Sequence, residues 1–304
     1  MNYYTYGGVL IKSNVSFDQM VRCEPVDAAD IEIDVRKVGR RGWLEPELGV
    51  VRPYVSQLTS EFVVLEHPVH GQITVTPNRI IVEIENDLHW EQARTYILGT
   101  GLAICSYMNG RVPFHMSVVQ LGESAIAFSG ESHSGKSTWA ALTLIQTGGS
   151  LLSDDVARIG KNSGSEQAIV WPMLNRLRFR EDLLEVLERN GLNDVRVDPH
   201  GRLECYDFPV ASGPCRLGAV FLPVPSDVDD VEVRRISLPA ALERSFENLF
   251  RLEYGVALMG IQRMMRAAFE VASAAPFFEL KYRPGMKNAE SNSEEFARIL
   301  EGLL

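Results

Sequence analysis

One stretch of this 304-residue chain limits its possible folds more than any other: Gly130-Glu131-Ser132-His133-Ser134-Gly135-Lys136-Ser137, continued by Thr138. It fits the phosphate-binding pattern G-x-x-x-x-G-K-[ST]. The residues before it, Ser124-Ala125-Ile126-Ala127-Phe128-Ser129, are small and apolar and read as a buried strand, and Thr138 to Gln146 reads as a helix ending at Gly148-Gly149. A strand, a glycine-rich turn and a helix in that order direct backbone N–H groups and a helix N-terminus at an anion. In such a turn Lys136 reaches the outer phosphates of a nucleotide, and the Ser137 hydroxyl ligates magnesium. ATP and Mg2+ are therefore the expected cofactors, held by residues 130–138.

Composition sets the bounds. A net charge of -10 argues against nucleic acid or an anionic membrane as partner, because both require clustered Lys and Arg. The apolar fraction of 45% is ample for a core. Cys23, Cys105, Cys205 and Cys215 show no C-x-x-C spacing, and with six scattered histidines they form no zinc pattern, so free thiols in a reducing cytoplasm are expected. The start of the chain shows no basic region followed by an apolar run, and Tyr96 to Met108 is too short and too glycine-interrupted to span a bilayer.

In chain order, the first part is β-like. Val9–Ile11, Ile31–Arg36 and Phe62–Leu65 read as strands, Arg40 to Pro53 as a loop, and Gln72–Val75 with Ile80–Ile84 as a hairpin around Thr76-Pro77-Asn78. Residues 1–88 form an expected small, mostly β domain, and residues 89–304 an α/β domain with a mixed central sheet that binds the nucleotide. A helix is expected over 90–108. A strand near 112–119 should lead into the phosphate-loop strand, and Ser150 to Ile159 should form a strand closed by a turn at Lys161–Gly164. Further on, the pattern gives a helix over 181–190 and a hairpin of Val195–Val197 with Leu203–Tyr206 around Asp198-Pro199-His200-Gly201. Then come a buried strand at Leu217–Leu222, helices over 239–250 and 255–274, a strand at Phe277–Tyr282 and a last helix over 294–303.

Two further features carry chemistry. Asp154-Asp155 interrupts an otherwise apolar strand, and burying two acids is costly unless they meet a cation or a proton donor. They follow Lys136 by about one helix and one turn, where the next strand supplies metal ligands. Adjacent strand residues face opposite sides, so one acid is assigned to magnesium with Ser137 and the other to an acceptor hydroxyl as general base; Asp154 is preferred for the metal and Asp155 for the base, a choice that alternation itself leaves open. His115 stands on the strand just before the phosphate strand. His67 and His70, in His67-Pro68-Val69-His70-Gly71, read as solvated loop residues, and His133 as a local substitution within the phosphate loop.

Together, His115, the loop from Gly130 to Ser137, and Asp154-Asp155 resemble the catalytic domain of the HPr kinase/phosphorylase family. The resemblance covers mainly residues 111–160. It implies a P-loop fold like the nucleotide-binding half of phosphoenolpyruvate carboxykinase and ATP-dependent phosphorylation of a serine hydroxyl. It also implies that His115 and an aspartate lie near the transferred phosphoryl group, so His115, Lys136, Asp154 and Asp155 are its catalytic set. Residues 1–88 look like the front part of shorter, divergent HPr-kinase-like proteins, some of which phosphorylate a lasso-type precursor peptide and others small molecules. The chain departs from the family in two places. His133 replaces a glycine, and the glycine-rich, Glu-containing segment after the acid pair is missing, with Trp171 to Arg176 near its place. Arg283-Pro284-Gly285-Met286-Lys287-Asn288 loosely resembles the family's late basic loop.

Three classes of function compete. The first is a cytoplasmic kinase acting on a serine-type hydroxyl of a peptide, protein or small molecule. A nucleotide-binding regulatory module would need neither a base nor His115. A carboxykinase-like enzyme would need an Arg/Lys cluster at the site, and the linear sequence shows none. Oligomeric state is left open.

Overall fold

The computed structural model describes residues 1–39, 54–67, 71–85, 90–161, 167–179, 181–198 and 201–303. The expected loop over 40–53, His70, most of the turn after Lys161, and Pro199-His200 lie outside the described residues. The chain is a mixed α/β protein whose contacts divide it into two units: Met1–Val112 with Arg251–Ile261, and Pro113–Phe250 with Gln262–Leu304.

The first unit is built on a sheet of β1 (Asn2–Tyr6), β2 (Val9–Ser13), β3 (Val21–Arg22), β4 (Ile31–Lys37), β5 (Tyr54–Leu58), β6 (Val63–His67), β7 (Gly71–Val75) and β8 (Arg79–Ile84), in the order β3-β1-β2-β4-β8-β7-β6-β5. Alternation decides which face is wet: Ile31 and Ile33 are buried while Glu32 and Asp34 are not. The β7–β8 hairpin forms where Thr76-Pro77-Asn78 sets the turn, with Val75 opposite Ile80. The helix expected over 90–108 is α1 (Trp90–Tyr96), a π-helical turn (Ile97–Gly101) and α2 (Leu102–Met108). These residues belong to the first unit, beyond the boundary expected at residue 88, because they pack on its sheet. Asn109 Nδ2 donates to the Pro77 carbonyl at 2.5 Å, and Ile80 lies against Gly101.

The second unit contains β9 (Pro113–Phe114), β10 (Met116–Leu121), β11 (Ser124–Ser129), α3 (Lys136–Thr147), β12 (Ser150–Ser153), β13 (Ala157–Lys161), β14 (Ala168–Trp171), β15 (Leu177–Phe179), α4 (Leu184–Arg189), β16 (Val195–Val197), β17 (Leu203–Cys205), β18 (Cys215–Pro225), β19 (Glu232–Arg235) and α5 (Leu238–Glu247). α6 (Leu252–Met259) belongs to the first unit. α7 (Ile261–Ala274), β20 (Phe277–Tyr282) and α8 (Ala289–Leu303) complete the chain.

The main sheet runs β12-β10-β11-β18-β14-β13-β9. β18 is long enough to pair with β14 through its first residues and with β20 through its last, and β20 in turn pairs with β19. β11 is interior, antiparallel to β10 and parallel to β18, and all six of its residues are buried, which explains its small apolar sequence. α3 and α8 cover one face. Phe296 of α8 meets Trp139, Phe128 and Phe221 with ring centroids at 5.3, 5.9 and 5.0 Å, an aromatic cluster that anchors the helix bearing Lys136.

Besides the divided helix over 90–108, three expected elements are broken. The strand expected near 112–119 is β9 and β10, parted at His115; β9 pairs with β13, and β10 with β11 and β12. The strand expected over 150–159 is two strands, β12 and β13, which stand far apart in the strand order, with Asp154-Asp155 in the turn between them. Asp155 has a left-handed backbone at φ 67°, which a continuous strand cannot contain. The helix expected over 255–274 is α6 and α7, divided at Gly260, whose φ of 82° ends one helix before the next begins. The four cysteines are free. No helix among the described residues is long and apolar enough to cross a membrane.

Candidate nucleotide site

The loop between β11 and α3 depends on backbone that few residues can adopt. Gly130 has φ 144°, and a Cβ there would meet Ser134 Oγ at 2.9 Å. Gly135, at φ 90°, precedes the first helical residue, Lys136. His133, the residue that departs from glycine, stands at φ 71° and so keeps the left-handed turn despite its side chain. Lys136 reaches back across the loop, donating from Nζ to the carbonyls of Gly130 at 2.9 Å and Glu131 at 2.7 Å. Burial is the main force pulling its ammonium pKa down, and Asp154 and Asp155 oppose it.

The acid pair divides sharply. Asp154 is fully buried and accepts from Ser117 Oγ at 2.6 Å, Ser137 Oγ at 2.7 Å and the Arg178 backbone N–H at 2.8 Å. Burial pushes its carboxyl pKa up, with Asp155 adding to the effect. Asp155 keeps 24% of its side chain exposed and lines the cavity in front of the loop. Burial would raise its pKa too, but Arg176 and Arg178, then His115 and Arg202, outweigh it and hold the carboxyl below its ordinary range. The left-handed turn at Asp155, and not strand alternation, lets two neighbouring acids serve different surroundings.

Several groups of the site are not evident from the linear pattern. Arg176, almost wholly buried, ion-pairs with Glu204 at 2.8 Å, Asp155 at 3.4 Å and Asp154 at 3.5 Å. Arg178 ion-pairs with Asp198 at 2.6 Å and Asp155 at 3.5 Å. An arginine cluster that the linear sequence does not show is present: β15 and the β16–β17 hairpin bring Arg176, Arg178 and Arg202 to the acids. The available signal was Arg176-Leu177-Arg178-Phe179, whose Leu and Phe are buried in the core while both arginines turn to the acids. Asn248 was also missed. Its Oδ1 accepts the Gly130 N–H at 3.0 Å, and its backbone carbonyl accepts the His115 N–H at 2.7 Å, so one residue fixes both the start of the loop and the histidine. The His115 ring stands edge-on to Phe250 and lines the same cavity.

That cavity holds about 290 Å3, near the lower end of small-molecule sites, and its walls include His115, Lys136, Ser137, Asp155, Arg178 and Arg202. The residues fit a magnesium nucleotide. Ser137 and Asp154 offer hard oxygen donors. Gly130 leaves room that a side chain would fill, and Ser134 Oγ is buried with no partner among the described residues, a spare donor inside the loop. No group of three or more His, Cys, Asp or Glu side chains forms a metal cage among the described residues. A magnesium ion held mostly by phosphate and water needs none. Arg283, from the late basic loop, ion-pairs with Asp229 at 2.7 Å, while its neighbours Tyr282, Pro284, Gly285 and Met286 line the cavity.

These elements define a mixed α/β protein with a glycine-rich strand–loop–helix facing an acid pair. No family model and no curated protein matches the sequence. Among solved structures, the HPr(Ser) kinase/phosphatase from Coxiella burnetii is similar over 62% of this chain and 97% of that chain, at 12% identity and a TM-score of 0.32. A likeness of that size carries no argument, and the functional reading rests on the site itself.

Proposed function

We propose that the chain is an ATP-dependent phosphotransferase that phosphorylates a serine-type hydroxyl of a peptide, protein or small molecule. The observation that carries this reading is the division of labour in the acid pair. Asp154 is tied to the loop serine, while Asp155, held ionised by arginines, faces the cavity. A module that only binds nucleotide has no need for the second acid.

The magnesium-bound triphosphate supplies the phosphoryl group. Lys136 and the loop N–H groups hold its phosphates, the ammonium exchanging the loop carbonyls for phosphate oxygens. Ser137 and Asp154 hold the metal. As the acceptor oxygen bonds to the γ-phosphorus, the bond from that phosphorus to the bridging oxygen breaks and ADP leaves; Asp155 takes the hydroxyl proton, and His115 compensates charge beside it. A carboxykinase-like reading would also use arginines here. Arg176 and Arg178 are already bound to protein carboxylates, however, which leaves Arg202 alone of the three outside an ion pair among the described residues; the kinase reading, which asks for fewer free cations than an oxo-acid substrate does, is preferred.

The test is calorimetry with ATP and magnesium, followed by mass spectrometry of candidate serine peptides and free serine incubated with the protein. Lys136→Ala should weaken triphosphate binding by about 2–3 kcal/mol. No binding by the native protein, or unchanged binding by the variant, refutes the reading.

A further inference from the structure

Three arginines gather on the Asp155 side of the cavity, and they are not equivalent. Arg176 is committed to Glu204, Asp155 and Asp154, and Arg178 to Asp198 and Asp155. Arg202 makes no ion pair within 4 Å among the described residues, yet its side chain lines the cavity. Its backbone, by contrast, is fixed. The Arg202 N–H donates to Asp198 Oδ1 at 2.8 Å, and the Arg202 carbonyl accepts from the Asp198 N–H at 2.7 Å, closing the β16–β17 hairpin. Asp198 also holds Arg178, which touches Asp155. The hairpin thus fixes the backbone of a cation whose side chain lines the same cavity as Asp155. A half-buried guanidinium that attracts Asp155 across the cavity but makes no ion pair within 4 Å among the described residues suits an anion placed between them, and its planar fork fits a phosphoryl group.

We infer that Arg202 contacts the terminal phosphoryl group of the bound nucleotide from the acceptor side, opposite Lys136, and neutralises charge as that group is transferred. This rests on the phosphotransferase reading and extends it by naming a contact that distinguishes a triphosphate from a diphosphate. Lys136 approaches from the loop and Arg202 from the hairpin, so the transferred group lies between two cations with Asp155 beside it.

The test needs no acceptor. The native full chain and its Arg202→Gln and Arg202→Lys variants are titrated calorimetrically with magnesium and either ADP or a non-hydrolysable ATP analogue. Arg202→Gln should leave ADP affinity within about threefold and weaken the analogue by about ten- to a hundredfold, the range for a charge-assisted contact to phosphate. Arg202→Lys should recover part of that loss. Equal weakening of both nucleotides, or of neither, overturns the inference while leaving the phosphotransferase reading intact. If the native protein binds neither nucleotide, both fall. Urea midpoints for all three proteins check that the hairpin remains folded.

Discussion

Ser137 Oγ donates to Asp154 Oδ1 at 2.7 Å, joining the first turn of α3 to the turn between β12 and β13. Ser117 Oγ, from β10, donates to the same oxygen at 2.6 Å. A single carboxylate therefore ties together the phosphate loop, the strand after His115 and the acid turn. That arrangement sets the position of the Ser137 hydroxyl before any ligand arrives, which would reduce the ordering cost of binding a metal there.

The strongest stability prediction concerns Arg176. Its guanidinium is buried among Asp154, Asp155 and Glu204, so removing it leaves buried carboxylates without their counter-charge. Arg176→Met should destabilise the protein by about 3–5 kcal/mol. Adding Glu204→Leu should restore part of the loss, because one stranded charge disappears with it. Urea unfolding midpoints measure both, and a single variant within about 1 kcal/mol of native would show that the cluster does not need its arginine.

At position 133, backbone conformation and side chain pull against each other. A φ of 71° is costly for most side chains, so glycine would relieve strain while gaining freedom in the unfolded chain. His133→Gly should therefore change stability by less than about 1 kcal/mol and leave nucleotide affinity within about threefold. His133→Val, β-branched and intolerant of that φ, should cost about 1–3 kcal/mol and distort the loop. Unfolding midpoints and ATP calorimetry on both variants decide. If valine binds nucleotide as well as glycine does, loop geometry does not depend on this residue.

These positions also show what the linear chain reveals. The strand, tight turn and helix of β11 and α3 were legible because the glycines and lysine between them lie within eight consecutive residues, and the β7–β8 hairpin because Thr76-Pro77-Asn78 marks its turn. The break at Asp155 was not, because an acid in a left-handed turn has the same letter as an acid in a strand. Arg176, Arg178, Arg202 and Asn248 reach the site through sheet register and a hairpin far along the chain, and local periodicity does not report such pairing. The split of α6 from α7 at Gly260 is an intermediate case: the glycine was visible, but both flanks read as helix.

Acid stability should depend on Asp155 with a definite sign. The surrounding arginines and His115 hold its carboxyl below the ordinary value of 3.8 despite burial. The folded protein therefore binds this proton less readily than the unfolded chain does. The resulting stability is fully present above that ordinary value and is lost as pH falls through the lower native one. Asp155→Asn lacks this contribution. The stability difference between native protein and variant should be level from about pH 5 to 7 and should shrink on further acidification. Urea midpoints across that range test it, and a difference that grows as pH falls would contradict the electrostatic picture of the pair.

The last prediction separates the two acids by function. Asparagine preserves shape at both positions and tolerates the left-handed backbone of residue 155, so neither change should break the turn. At Asp154 the change removes the charge that faces Ser137 and leaves Arg176 with two carboxylates in place of three. Magnesium-dependent nucleotide binding should weaken, and stability should fall by about 1–3 kcal/mol because a buried network loses its best acceptor. At Asp155 the change removes the carboxylate that faces the cavity. Nucleotide should still bind, because Lys136, Ser137 and Asp154 are untouched, while turnover of any accepted hydroxyl substrate should fall by roughly 10²–10⁴-fold through loss of the proton acceptor. Calorimetry with and without magnesium reads the first effect, and single-turnover phosphoryl transfer reads the second. Crossed results, with Asp155→Asn abolishing magnesium-dependent binding and Asp154→Asn losing only turnover, would exchange the two roles. Native turnover in both variants would make the pair purely structural, with its charges serving only to hold Arg176 and Arg178 in place.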